Sequence, residues 1–244
     1  MKIAVLNYSG SVGKTLVSHY FLAPRMPVGT AFTSIETVNE SAEDLGANGV
    51  EQIQGKKFGD LLEKITLTRH AIVDIGASNI ESFLLAMSKF DDSASEFDRY
   101  IVPVTPDRKA MKESAQTIDA ISSLGVSADR ILLLPNRIEE GDPVEEMPAI
   151  FSYVKKHKRA TINPDMYLYE SPIYEWLGSR KMSFEDLLSG DVDYQNLAVT
   201  ESDMTKAAEY AKMYRRRREA APVRAHMDEV FKAMFADMFT TATA

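Results

Sequence analysis

The sequence predicts an α/β fold: a mostly parallel, twisted sheet with helices on both faces, plus a C-terminal helical extension. Three observations carry this. Four short segments are almost wholly apolar and rich in branched residues, as strands covered on both faces require. Helical patterns alternate with them. A glycine-containing turn ending in Gly-Lys-Thr joins the first strand to the first helix.

The firm strands are Lys2–Leu6, His70–Ile75, Tyr100–Val104 and Ile131–Leu134. Val28–Ile35 is a weaker fifth, interrupted by Thr and Ser, and a further extended piece is expected at Tyr167–Tyr169. Helices are expected at Thr15–Leu22, Phe58–Leu67, Ile80–Phe90 and Ala110–Leu124. In the second of these, Phe58, Leu61, Leu62 and Ile65 share a face; in the last, Met111, Ala115, Ile118 and Ile121 do. From about Glu201 the strands stop. Glu201–Arg218 is rich in helix formers, Ala220–Pro222 is expected to interrupt, and His226–Phe239 resumes as a second helix. The expected organisation is a main domain over 1–200, a helical extension over 201–239 packed on the body or exchanged with a second subunit, and a frayed tail over 240–244.

Composition narrows the classes. The 244 residues are 45% apolar and 26% charged, ordinary globular usage. With 28 basic against 36 acidic side chains the net charge is −8, which excludes a wholly basic nucleic-acid coat but not a local patch. There is no cysteine, hence no disulfide, thiolate metal site or cysteine nucleophile. The four histidines are scattered, against a histidine metal centre. The opening Met-Lys-Ile-Ala-Val-Leu-Asn turns polar too soon for a signal peptide, and no apolar run approaches the roughly 20 residues of a membrane span.

The strongest motif is Asn7-Tyr8-Ser9-Gly10-Ser11-Val12-Gly13-Lys14-Thr15, directly after the first strand. Glycines let backbone N–H groups converge on phosphate oxygens, and a helix N-terminus adds a positive dipole end. Lys14 would reach the β- and γ-phosphates, and Thr15 would hold Mg²⁺. The common phosphate-loop pattern places Gly five positions before Gly13; here that residue is Tyr8, so only the Gly-Lys-Thr end matches.

Ser9 to Thr15 resembles the deviant Walker A loop of the ParA/MinD ATPases, Lys-Gly-Gly-x-Gly-Lys-Thr. Ala71–Gly76 is similar to that family's strand ending in a Walker B aspartate, Tyr100–Val104 to its next strand, and Leu134-Pro135-Asn136-Arg137 to its nucleotide-base loop. These follow in family order over roughly residues 1–190. The opening stretch, Val73–Asn79 and the basic C-terminal helix are similar more narrowly to a plasmid-stability branch. The resemblance implies a P-loop NTPase fold and an ATP/ADP and Mg²⁺ site formed by Ser9, Gly10, Ser11, Val12, Gly13, Lys14, Thr15 and Leu16. Lys14, Asp74 and Glu36 would be catalytic, and Thr15 and Asp74 would be the metal-holding side chains. It further implies an ATP-dependent homodimer that binds non-specific DNA and a plasmid-encoded adaptor. Such a protein would be cytoplasmic and associated with the nucleoid; a MinD-like membrane anchor in the last helix is the alternative, which the acidic charge of that helix opposes.

Two departures matter. The family's signature lysine, which reaches across a dimer to the partner's ATP, falls at Ser9, and its second glycine at Ser11. A serine supplies no cation to developing phosphate charge. Hydrolysis is therefore expected to be slow, or to use another cation such as Arg25, Arg108 or Lys109. Glu36 stands where the family has a water-orienting aspartate; a solvated loop carboxylate is the equal alternative. Asn136 offers a donor and an acceptor to an adenine edge, and Arg137 a stacking plane; a plain turn Asn after a strand is the other reading.

Two basic clusters stand out, Lys155-Lys156-His157-Lys158-Arg159 and Arg215–Arg218. Lys155, Lys156, Lys158, Arg159, Lys212, Arg215, Arg216, Arg217 and Arg218 are the candidate DNA-phosphate contacts, with a solvated helix face as the alternative. The last helix carries Met227, Val230, Phe231, Met234, Phe235, Met238 and Phe239 as an apolar stripe, expected to dock on the body or a second subunit. Asp228, Glu229 and Asp237 make that helix acidic, against an anionic membrane. The expected function is an ATP switch for plasmid stability, partition or positioning. The alternatives are a nucleotide-holding adaptor with little hydrolysis and a metabolic P-loop kinase or ligase.

Overall fold

The computed structural model describes residues 1–35, 51–52, 58–236 and 238. The strands are β1 (Lys2–Leu6), β2 (Ala31–Ile35), β3 (Glu51–Gln52), β4 (Ala71–Ile75), β5 (Arg99–Val104), β6 (Ile131–Pro135) and β7 (Thr161–Ile162). They form one sheet in the order β3-β2-β4-β1-β5-β6-β7, and every pairing is parallel. β1 lies between β4 and β5. The chain first fills the β2 side of β1, then crosses to the β5 side, so its direction reverses there and the carboxyl end of β1 opens onto a crevice.

Alternation along the strands divides the core in two. Ala4, Leu6, Val73, Ile75, Tyr100 and Val102 face one side. There they meet α2 (Phe58–Thr66), α3 (Ile80–Met87), α4 (Arg108–Ser123) and α6 (Pro148–His157), the last preceded by the one-turn α5 (Pro143–Glu146). Ile3, Val5, Ile72, Ile101 and Leu134 face the other side. There the helix after β1 packs with α7 (Pro172–Ser179), α8 (Phe184–Leu188) and α10 (Met204–Met234), and α9 (Tyr194–Thr200) lies against α10. The helix after β1 begins as α1 (Lys14–Leu16), widens to π-helical turns over Val17–Leu22 and closes with a 3₁₀ turn at Ala23–Arg25.

The structure corrects several expectations. Tyr167–Tyr169 is not a strand; it makes one isolated parallel bridge, Tyr169 to Ile138. The short β3, β7, α5, α8 and α9 carry too few residues for a period to register; α6 and α7 were missed although they are no shorter than α3. The C-terminal segment is one helix of 31 residues that runs through Pro222. Proline removes the N–H that would bond to the Arg218 carbonyl and crowds that turn. The helix continues because both halves are pinned elsewhere. Before Pro222, Arg217 donates to the carbonyls of Leu187, Ser189, Gly190 and Val192 at 2.6–3.0 Å. After it, Met227, Val230, Phe231 and Met234 are buried, and Phe231 packs edge-on against Phe21 at 5.9 Å. Each such side chain contributes about 1.5–3 kcal/mol when buried. From Met227 to Phe235 the apolar stripe is thus buried against the body of the chain. No helix among the described residues is long and apolar enough to cross one. Residues 240–244 lie outside the described residues.

Candidate functional site

The loop from Asn7 to Gly13 leaves the carboxyl end of β1, at the crevice. Gly10 has open space around it, and Gly10 and Ser11 are exposed. Gly13 closes the loop with φ +83°, a left-handed conformation that L side chains resist. Val12 is buried, and Lys14 is 5% exposed. The Lys14 ammonium turns back into the loop and donates to the carbonyls of Ser9 at 2.6 Å and Asn7 at 3.1 Å. Thr15 and Leu16 follow in the first helical turn, both half-buried. Ser9 is 8% exposed, with its N–H on Asn7 Oδ1 at 2.9 Å.

Asp74 is the register neighbour of Val5 in β1 and of Ser34 in β2, one residue below the strand ends. It is 1% exposed, so this carboxylate stands behind the loop at the same edge of the sheet. Glu36 lies outside the described residues.

Asn136 follows β6 and is fully buried. Its Nδ2 donates to the Val12 carbonyl at 2.8 Å, and a Cβ on Gly13 would collide with that nitrogen. In this arrangement Asn136 buttresses the phosphate loop from beneath, and its Nδ2 is not turned to a base edge. Arg137 has φ +58° and pairs with Glu170 at 3.5 Å. Both residues border a cavity of about 370 Å³ that is also lined by Leu16, Tyr20, Tyr174 and Glu175. Asn136 Oδ1 and the Tyr174 hydroxyl are buried there without a hydrogen-bond partner. Burial pushes the Tyr174 phenol well above its usual range. Sequence reading did not find Tyr20, Glu170, Tyr174 or Glu175. They come from separate elements, and no spacing pattern links them to the loop.

The three cations suggested as replacements for the signature lysine separate. Arg25 is 6% exposed. It bonds Asp228 at 2.7 Å and donates to the carbonyls of Tyr20, Phe21 and Arg224, so it holds the end of the first helix on α10. It is corrected to a structural residue. Lys109 pairs with Glu113 at 3.7 Å, and Arg108 stands exposed at the first turn of α4.

The basic clusters do not form one patch. Lys155, Lys156 and Lys158 are exposed at the end of α6, on the α4 side and near the amino edge of the sheet, away from the loop. Arg159, beside them, bonds Asp119 at 2.6 Å. The α10 run lies on the opposite side, and half of it is engaged internally. Arg216 pairs with Glu219 at 2.6 Å and lies over the Trp176 ring, while Arg217 makes the four carbonyl bonds above. A continuous run of four occupies every side of a helical turn, so two had to face the body. Lys212, Arg215 and Arg218 are the exposed ones.

The side chains present fit a magnesium–nucleoside triphosphate. Open space surrounds Gly10, a lysine and a threonine open the helix, and a buried carboxylate lies one strand away. Among the described residues no group of three or more His, Asp or Glu could hold a metal ion.

No protein-family model and no curated protein matches the sequence. Solved structures do match in fold. One is the MinD cell division protein of Aquifex aeolicus, with TM-score 0.52 and 15% identity, covering 88% of this chain and 95% of that one. Another is the MinC:MinD cell division protein complex of the same organism, with TM-score 0.54 and 15% identity, covering 74% and 86%. The chain has the MinD-like P-loop fold, an all-parallel sheet with helices on both faces and a C-terminal helix.

Proposed function

We propose that the chain is a Mg-ATP-dependent switch of the ParA/MinD class, StbB-like, that serves plasmid stability, partition or positioning. The observation that carries the reading is the loop at the carboxyl end of β1, with Gly13 left-handed, Lys14 and Thr15 opening the helix, and Asp74 on the adjoining strand. Lys14 would turn an ammonium N–H to the phosphate oxygens, a charge-assisted and stronger bond, while the Asn7 and Ser9 carbonyls keep it in place. Thr15 and Asp74 would hold Mg²⁺, which when bound neutralises charge on the phosphates. The cavity beside Asn136 and Arg137 would seat the nucleoside, with Asn136 holding the loop. ATP joins two subunits, the dimer holds DNA and an adaptor, and hydrolysis separates them.

A second reading, an adaptor that holds nucleotide without turning it over, is supported by Ser9 and by the internal use of Arg25. Titration with a fluorescent ATP analogue, with and without Mg²⁺, tests the binding reading. Lys14→Ala should abolish binding in a folded protein, and Asp74→Ala should weaken Mg²⁺-dependent binding more than Mg²⁺-free binding. Unchanged affinity in Lys14→Ala would remove the phosphate-loop assignment. A single-turnover assay with and without DNA then separates the readings: DNA-stimulated turnover supports the switch, and tight binding with no turnover supports the adaptor.

A further inference from the structure

Behind the phosphate loop lies a buried polar cluster that the site as described does not use. Asn7 is fully buried at the end of β1. Its Nδ2 donates to the Pro103 carbonyl at 2.7 Å and to Ser114 Oγ at 2.6 Å, and its Oδ1 accepts from the Ser9 N–H. One residue on, the Tyr8 N–H donates to Thr117 Oγ1 at 3.0 Å. Ser114 and Thr117 sit one turn apart on α4, both buried on a face otherwise occupied by Ala110, Met111, Ile118 and Ile121.

Serine and threonine inside a helix commonly give their proton to the carbonyl four residues back. Both do so here, Ser114 to Ala110 at 2.7 Å and Thr117 to Glu113 at 2.8 Å, the nearer of two acceptors for Thr117, the other being Asn7 Oδ1 at 3.3 Å. Each hydroxyl is thereby oriented as an acceptor, and the two acceptors meet the Asn7 amide and the Tyr8 N–H. The two carbonyls that hold the Lys14 ammonium belong to Asn7 and Ser9. These are the residues that the Asn7 side chain ties down.

We propose that Asn7, Ser114 and Thr117 are positioning residues for Lys14: they clamp the amino-terminal limb of the loop to α4 and so fix the lysine relative to the phosphates. This rests on reading Ser9 to Thr15 as a nucleotide-binding loop.

The test compares four variants by Mg-ATP-analogue titration and thermal melting. Thr117→Val keeps shape but removes the acceptor, leaving a buried N–H unsatisfied. It should weaken binding about tenfold, equivalent to about 1.4 kcal/mol. Ser114→Ala should act in the same direction, and it keeps the comparison open if Thr117→Val does not fold. Thr117→Ser retains the hydroxyl and should restore affinity to within about twofold. Ile118→Val trims the core side of the same helix, and should lower the melting temperature without changing affinity. If Thr117→Val and Ser114→Ala melt lower yet bind like the unaltered chain, the cluster is packing only and the proposal is overturned. Failure of the unaltered chain to bind Mg-ATP at all would instead overturn the loop reading, a different result from the first.

Discussion

Gly13→Ala tests the join between the phosphate loop and the β6 turn. Gly13 has φ +83° and ψ 33°, where an alanine costs roughly 1–2 kcal/mol. The added Cβ also meets Asn136 Nδ2, which donates to Val12 at 2.8 Å. Asn136 is fully buried and its Oδ1 has no partner, so the side chain cannot turn aside into water. Displacing it forfeits a buried hydrogen bond and orphans a donor, about 1–3 kcal/mol. The expected loss is about 2–5 kcal/mol. At roughly 2–4 °C per kcal/mol for a chain of this size, the melting temperature should fall by several to about 20 °C. A double-mutant cycle in urea isolates the contact. Asn136→Ala alone should destabilise, because the Val12 carbonyl loses its donor. In the double variant the collision is gone and only the backbone cost of position 13 remains. The combined loss should therefore be smaller than the sum of the single losses by about 1–2 kcal/mol. Additivity within about 0.5 kcal/mol would show that the two residues do not press on one another, and the buttress would be wrong.

Arg217→Ala should destabilise by about 2 kcal/mol in chemical denaturation, because four carbonyls lose a charged donor; Arg215→Ala, exposed on the same run, should leave stability within about 0.5 kcal/mol. Arg25→Ala should cost about 2–3 kcal/mol in the same assay, below the usual 3–5 for a broken buried pair. The reduction follows because Asp228 is 38% exposed and keeps Arg224 at 3.1 Å. For DNA, replacing Lys212, Arg215 and Arg218 with Ala should lower affinity for all sequences alike and flatten log K against log salt by roughly two to three units, read by anisotropy with ATP bound. An unchanged slope would move the DNA surface to Lys155, Lys156 and Lys158 on the opposite side.

The strands β1, β4, β5 and β6 were legible because each is central in the sheet, buried on both faces, and such strands announce themselves as runs of Ile, Val and Leu. β7 was not, because Thr161–Ile162 is two residues at the edge, and two residues carry no period. The break expected at Pro222 failed for a different reason. Local propensity against proline is about 3 kcal/mol, and the tertiary contacts on both sides of it, Arg217 to four carbonyls and Phe231 into the core, exceed that. A rule of local sequence was overruled by groups 30 and more residues away.

The site divides along the same line. Gly13, Lys14 and Thr15 could be read because strand, turn and helix are consecutive and phosphate binding needs those residues at that spacing, and Asp74 because it ends an apolar strand in family order. What sequence could not give is what holds them. The resemblance makes Asn136 a base contact, with a plain turn Asn as the alternative, and neither reading places its Nδ2 on the Val12 carbonyl, 124 positions earlier in the chain. Ser114 and Thr117 carry no signal in a helix read from its apolar spacing, and only the fold brings them to Asn7 and Tyr8 across more than 100 residues. The basic run divides for a geometric reason. Four consecutive arginines point all around the helix, so on any docked helix some must serve the body, and which ones depends on where α8 and α9 lie. Side chains that would touch phosphate are therefore written locally, whereas those that aim them are written by topology. This is why Lys14→Ala tests what the sequence says, and Thr117→Val tests what only the fold adds.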